Sequence, residues 1–486
     1  MSGEVDVEPS SLQRALDEAV AGQTIQLACG TYPKRLRMTG RHGRPGQPIV
    51  IRGKPKAVLD GGRNVHQFNP VAQRLAEATQ LNRGFPGMQA MMPQGQLVLD
   101  TCSYIRIEGL TVQGAWPTGI FIDNCQHIEI RNVHVRAGTF AFAAHGELTS
   151  NLSIVGCSWV QDLSEGSLWR RIGFEPVHGD FTLPGDWRAF DGDFFRAYRI
   201  RGDVLIEDNT VEHAFNGVHL FNREDDPRDD LCRRVVIRSN RFAFIRDNTI
   251  EPETAASDWW IVNNDFQDCY KLVSLEMQRC GHVYLIGNRG WFTSMPGPEA
   301  DDHTSGELLK IGGDYASWGP HYLLHNSWYL RGPLAKKRLP PGLVHMNNAI
   351  LCCPGGRDWF CREEPPFLGK RADQGRVPNG RSSGSSFAND VVRHSRLSEQ
   401  AQGRRGIRWR VAARTRCSPS RATATLPSPT TAPAGVRPCP SRSSCPTVAS
   451  GRWRHATSAP GRTAPRTPSA TSFRRPGPSS GTRRVR

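Results

Sequence analysis

The chain of 486 residues is basic overall, with a formal net charge of +16, a balance that ordinarily points toward nucleic acid. The excess sits in one place. From Val377 to Arg486 there are 21 Arg, no Lys, and only Asp390 and Glu399 as acids, so the rest of the chain is mildly acidic and a nucleic-acid partner is not expected. No apolar run approaches the length of a membrane span, so a membrane partner is not expected either.

The opening segment SLQRALDEAVAGQTIQLACGTY predicts a short amphipathic helix, a Gly turn and a strand. Leu12, Ala15, Leu16 and Ala19 have helical spacing, and Ser11 is the expected N-cap. Residues 1–20 are read as a cap over the exposed end of a solenoid. The start MSGEVDVEPSS has neither a charged n-region nor an apolar h-region, so no secretory signal is visible.

From there a single pattern recurs: alternating apolar residues, then Asn or Gly, then another apolar residue. Its copies read IRIEGLTV from Ile105, IEIRNVHV from Ile128, LSIVGCSW from Leu152 and VLIEDNTV from Val204. They continue as VVIRSNRF from Val235, WWIVNNDF from Trp259, VYLIGNRG from Val283 and YLLHNSWY from Tyr322. A basic step of about two dozen residues, lengthened where loops are inserted, fits stacked coils of short strands. The expected fold is all-β, a right-handed parallel β-helix over residues 21–355. Insertions are read at 163–198, 222–234 and 294–305.

Asn209, Asn240, Asn264 and Asn288 fall at one place in four consecutive coils. They are expected to form an amide ladder about 4.8 Å per step, in the left-handed conformation that a sharp turn needs. Ile206, Val211, Ile237, Phe242, Ile261 and Phe266 are the expected core beside it. The scattered cysteines Cys102, Cys125, Cys157, Cys269 and Cys280 are read as small buried thiols. Cys352, Cys353 and Cys361 are close enough in sequence to pair.

The second strand of each coil carries the candidate chemistry. Aligning NGVHLF from Asn216, NTIEPE from Asn248, KLVSLE from Lys271 and ELLKIG from Glu307 puts His219, Glu251, Ser274 and Lys310 in one outward column. Phe221, Glu253 and Glu276 form the next. Acids, a His and a Lys on adjacent coils are what acid–base work on a saccharide requires, although outward polar residues on a solenoid are ordinarily only solvated. Strand alternation points Glu251 and Glu253 the same way, and their repulsion calls for a cation or a shared proton.

The opening segment and PIVIRGKPKAVLDGG from Pro48 resemble the start of pectin-lyase-like β-helix proteins. Asn216 with Glu251-Pro252-Glu253 is similar in type and spacing to the calcium-holding Asn and Glu-x-Glu of the polysaccharide lyase family of chondroitinase B and the β-helical alginate lyases. The resemblance implies calcium on Asn216, Glu251 and Glu253, a polysaccharide or oligosaccharide partner, cleavage by β-elimination, and an extracellular or periplasmic setting. The Lys that the family carries just past the second Glu has no counterpart, since this stretch reads TAASD from Thr254 to Asp258.

The base is then sought among His219, Lys310 and Lys271, with Arg246 or Arg279 assisting. Glu276 is a further catalytic candidate, and a hydrolase would draw on Glu251 with Glu276 or Asp247. Trp169 and Trp187, in the first insertion, are expected to stack on sugar rings with Arg246 at the rim. A glycoside hydrolase and a non-catalytic glycan-binding β-helix stay open as alternatives.

The remaining segment, 356–486, is rich in Arg, Ser and Pro and cannot bury enough apolar surface to offset chain entropy. It is expected to be disordered. Its abrupt change of composition after about Asn379 suggests a GC-rich gene read out of frame.

Overall fold

The computed structural model describes residues 3–64, 91–164, 187–222, 230–292, 307–310, 320–330, 342–352, 386–388 and 391–394. All lie in the compact unit Met1–Ile407. The Arg-rich tail from Arg408, Trp169, and most of the insertions at 222–234 and 294–305 lie outside them.

The repeat does become a right-handed parallel β-helix, built of strands that pair only with their counterparts one coil away. One coil serves for all. Gln126–Arg131 forms the face that carried the sequence repeat, His134–Arg136 a short second face, and Phe140–His145 a third, here called the site face, before Ser150–Val155 begins the next coil. The ladders between coils are parallel and, apart from a one-residue shift between Thr254 and Ala255, in register: Ile130 pairs with Ile107 and Ile154, Val135 with Val112 and Trp159, Phe142 with Ile120 and Phe195.

Register makes the core. Ile107, Ile130, Ile154, Ile206, Ile237, Ile261, Leu285 and Leu323 stack as one buried file, because alternate residues of a strand share a face and each coil repeats the phase. Phe242 stacks on Phe266 with centroids 5.6 Å apart, in the interior as expected.

The asparagine ladder is present and longer than the four positions read from sequence. Asn209 Nδ2 donates to Asn240 Oδ1 at 2.9 Å, and the chain continues through Asn264, Asn288, Asn326 and Asn348. Each amide also donates to a core-strand carbonyl, as Asn264 does to Ile237 at 2.8 Å. The left-handed residue is not the ladder Asn itself, which corrects the expectation. It is the one before: Asp208, Ser239, Asn263, Gly287, His325 and Asn347 all have φ between 54° and 67°. The turn is thus made at that residue, leaving the ladder side chain free to point inward and bond along the axis.

Cys157 occupies the same file below Asn209, its backbone N–H donating to Asn209 Oδ1 at 2.8 Å. Burial pushes the thiols of Cys157, Cys232 and Cys269 up to about 12, consistent with inert packing groups. The side chain of Cys280 and the segment holding Cys353 and Cys361 lie outside the described residues.

At the N-terminus, the helix Leu12–Glu18 buries Leu12 and Leu16 against the first coil. Two details differ from expectation. Ser11 makes no side-chain cap bond; its hydroxyl donates to the Glu8 carbonyl instead, at 3.1 Å. The cap also contains a strand, Glu4–Val7, paired in parallel with Thr24–Leu27. At the other end, Ser386–Ala388 and Val391–His394 pair with Leu343–Met346 and Ala349–Cys352. Sheet pairing therefore runs past the boundary at residue 355.

Candidate functional site

On the site face, residues of successive coils line up in three outward files. One file runs Asp193, Asn216, Asn248, Lys271, Glu307. The middle file runs Ala143, Arg196, His219, Glu251, Ser274, Lys310. The third runs His145, Tyr198, Phe221, Glu253, Glu276. The sequence register for His219, Glu251, Ser274 and Lys310, and for Phe221, Glu253 and Glu276, therefore holds.

What the sequence does not reveal is how deeply these groups lie. Asp193, Asn216, His219, Asn248, Glu251, Lys271, Ser274 and Glu307 are all buried on the outer side of the sheet. A buried charge is costly unless it is paired, and here each cation meets an anion. Arg196 donates through Nη1 to Asp193 Oδ2 at 2.7 Å, between the rings of Phe140 and Phe221. Lys271 donates through Nζ to Glu307 Oε2 at 2.6 Å and lies over the Tyr270 ring.

His219 is the centre of the cluster. Its Nε2 bonds Glu253 Oε2 at 2.8 Å, while Nδ1 faces Asp193 Oδ1 at 3.5 Å and Glu251 Oε2 at 3.7 Å. Both glutamates of the Glu-Pro-Glu tripeptide thus meet one imidazole, as alternation along the strand requires. Pro252 between them pairs with core residue Leu220, and its missing N–H gives up one ladder bond.

Burial alone would lower the imidazole pKa. The Glu251 charge, with help from Asp193 and Glu253, outweighs both that and the repulsion of Arg196, and raises it to about 10. His219 is therefore an imidazolium at neutral pH. Burial likewise works against ionised Asp193, but Arg196 first and His219 second hold its carboxyl below the usual range.

The openness of the groups differs in a useful way. The Glu253 side chain is 33% exposed and that of Lys310 14%, against 7% for both His219 and Glu251. Lys310 Nζ stands 3.7 Å from Glu251 Oε1, which itself accepts a hydrogen bond from Asn248 Nδ2 at 2.8 Å. Of these four groups Glu253 and Lys310 are thus the more accessible, and His219 and Glu251 the more deeply set.

Several sequence candidates fall elsewhere. Lys271 is closed off by Glu307, which removes it as a base. Arg246 is fully buried with its guanidinium 4.7 Å above the Tyr270 ring, so it is no groove rim. The strands place Glu276 beside Glu253 and Arg279 beside Ala255, but their side chains, like that of Trp187 in the 3-10 turn Trp187–Phe190, lie outside the described residues. Asp193 and Arg196 were assigned to an insertion and missed. The strand Asp193–Tyr198 leads into the repeat strand Gly202–Glu207 just as Phe140–His145 leads into Ser150–Val155, and that spacing was the available signal.

North of Arg196 the same face changes character. Val98, Phe121 and Ala143 continue toward the N-terminus under Met91, Met92, Trp116 and Phe190, a second apolar cluster outside the solenoid core. Trp116 meets Phe190 edge to face at 5.6 Å. The polar cluster thus ends against an apolar wall.

The oxygens expected to hold calcium are engaged with donors. Asn216 Oδ1 accepts the backbone N–H of Asn248 at 3.1 Å, Glu251 Oε1 accepts Asn248 Nδ2, and Glu253 Oε2 holds His219. Calcium needs six to eight oxygens at about 2.3–2.6 Å. Among the described residues, no group of three or more His, Cys, Asp or Glu is arranged to hold a metal ion. As placed, these residues do not fit calcium.

No protein-family model matches the chain, and no curated protein matches it. Among solved structures it is similar to a PL6 family polysaccharide lyase from Pseudopedobacter saltans, at 12% identity and TM-score 0.45, covering 84% of this chain and 96% of that one. It is also similar to an alginate lyase from Paenibacillus sp., at 13% identity and TM-score 0.39, covering 80% of this chain and 98% of that one. A third is the family 28 exopolygalacturonase of Yersinia enterocolitica, at 11% identity and TM-score 0.41, covering 81% and 78% of the two chains. Likeness at this distance transfers no residue's role. With its parallel faces and internal amide ladder, the chain has the parallel β-helix fold.

Proposed function

We propose that the site face carries a polysaccharide lyase centre that cleaves an acidic polysaccharide by β-elimination. The observation that carries this reading is the buried His219 ring, bonded to the more exposed carboxylate Glu253 and facing Glu251, whose other oxygen stands 3.7 Å from the Lys310 ammonium.

Elimination at a uronate needs three things: a cation against the carboxylate so that the neighbouring proton becomes acidic, a base for that proton, and an acid for the leaving oxygen. Lys310, the more open cation, faces the uronate carboxylate. Glu253, the most open acid of the cluster, takes the proton. His219 is charged at neutral pH and bonded to Glu253, so it is placed to return a proton toward the leaving oxygen. Asp193 and Glu251 hold the imidazolium, and Arg196 fixes Asp193. No step in this scheme needs a metal.

The test is incubation with a panel of uronate polymers, followed by ultraviolet absorbance of the unsaturated product and by reducing-end assay. Both signals rising together support elimination. Reducing ends without the absorbance would move the assignment to hydrolysis, and silence in both assays would leave a glycan-binding β-helix.

A further inference from the structure

The clearest mismatch in the molecule lies between the Asn and Glu-x-Glu pattern in the sequence and what stands between those carboxylates in the fold. We propose that the His219 side chain occupies the place of a divalent cation, so that the wild-type cluster neither binds nor needs calcium, and that removing this one ring creates a calcium site.

Three carboxylates converge on the ring from the two coils that flank it. Asp193 comes from the coil below, and Glu251 and Glu253 from the coil above, at 3.5, 3.7 and 2.8 Å. Two further cations face the same acids: Arg196 from the Asp193 strand at 2.7 Å and Lys310 from the Glu307–Lys310 strand at 3.7 Å. Each of the three acids thus meets a nitrogen of a basic side chain, so oxygens that would take a divalent ion are already engaged. Space is also taken. The imidazole faces Glu251 through one ring nitrogen and bonds Glu253 through the other, so the ring fills the space that an ion bound by both would need.

Deleting the ring reverses both conditions. A cavity the size of an imidazole opens among Asp193, Glu251 and Glu253, and the local balance becomes one negative charge in excess. Oxygen donors facing a small polar cavity are what a hard cation takes. The inference concerns metal binding and stands whether the reaction is elimination or hydrolysis.

The experiment is thermal unfolding of the full chain in excess EDTA and in millimolar calcium chloride, with calorimetric titration of calcium alone, on wild type, His219→Ala and His219→Asn. The expected result is an unchanged wild-type Tm with no binding heat. For a folded His219 variant, calcium is expected to raise Tm by several degrees, and adding Glu253→Gln is expected to abolish that rise. A calcium-dependent rise in the wild type that is lost in Glu251→Gln would overturn the proposal, as would a folded His219 variant indifferent to calcium. If neither variant folds in EDTA, recovery of folding by calcium supports the proposal. Failure in both conditions leaves the wild-type titration to decide, any calcium-dependent shift overturning it and none supporting it.

Discussion

Two stacks of buried polar residues run along this solenoid, and they are built on opposite principles. At the corner between the first two faces, the same residue repeats six times, and each Asn amide both gives and receives along the axis. On the site face the residues change at every coil, from Arg196 to His219 to Glu251 to Ser274 to Lys310, and the charged groups meet partners of opposite sign, as Arg196 meets Asp193 and His219 meets Glu253. A repeated neutral amide matches the symmetry of the coil, so any coil can be added without altering the chemistry. A non-repeating charged file breaks that symmetry and sustains buried charges that a structural stack does not require. The difference separates scaffold from candidate site.

The contrast is broken most severely by Glu253→Gln, which removes the proposed base while leaving an acceptor for His219. Activity on a uronate polymer is expected to fall by about 10²–10⁴-fold, read as initial rate per folded molecule. Unfolding midpoints in urea are expected to move little.

Substituting the scaffold stack should do the reverse. Asn264→Ala deletes an amide that accepts from the Asn240 side chain and donates to Ile237 and Asn288. Buried groups are left unsatisfied on both sides, so stability is expected to fall by roughly 3 kcal/mol in equilibrium urea unfolding. Specific activity of the folded fraction should be unchanged.

Acidity sharpens the comparison further, because only one stack titrates. The folded-state pKa of His219 lies above its ordinary value of 6.5, at about 10. Its contribution to stability is therefore complete below the lower value, declines as pH rises between the two, and is gone above the upper one. The stability gap between wild type and His219→Gln, followed by urea titration across that range, should narrow as pH rises. A gap that widens would show the ring to be buried neutral.

The smallest effect belongs to the outer surface of the repeat face. There Arg106 and Arg131 both meet Glu129, and although partial burial works against its charge, they hold its carboxyl below the usual range. These groups are largely solvent-screened, so Glu129→Gln is expected to cost less than about 1 kcal/mol in the same unfolding assay, and less again at high salt.

Most of the fold could be read from sequence because the β-helix writes its period directly into the apolar pattern, and the period then fixed which outward residues share a file. That was enough to bring His219, Glu251 and Glu253 together. It failed where an insertion precedes a coil: Asp193 and Arg196 belong to a strand whose pattern, DFFRAY, falls at the end of a stretch read as inserted. It failed again where pairing rather than position decides a role. Lys271 on its strand and Arg246 in the bend before Asn248 are in plausible places, but only coordinates reveal that Glu307 closes the first and that the second is sealed over Tyr270.

The central claim is that Glu253, Lys310 and the imidazolium below them form a working site on the third face. It is tested most directly by a crystal structure of Glu253→Gln soaked with a short uronate oligosaccharide. The account predicts sugar density across this face, with a carboxylate against the Lys310 ammonium and a glycosidic oxygen within hydrogen-bond reach of His219. Density confined to another face, or a uronate carboxylate turned away from Lys310, would contradict it.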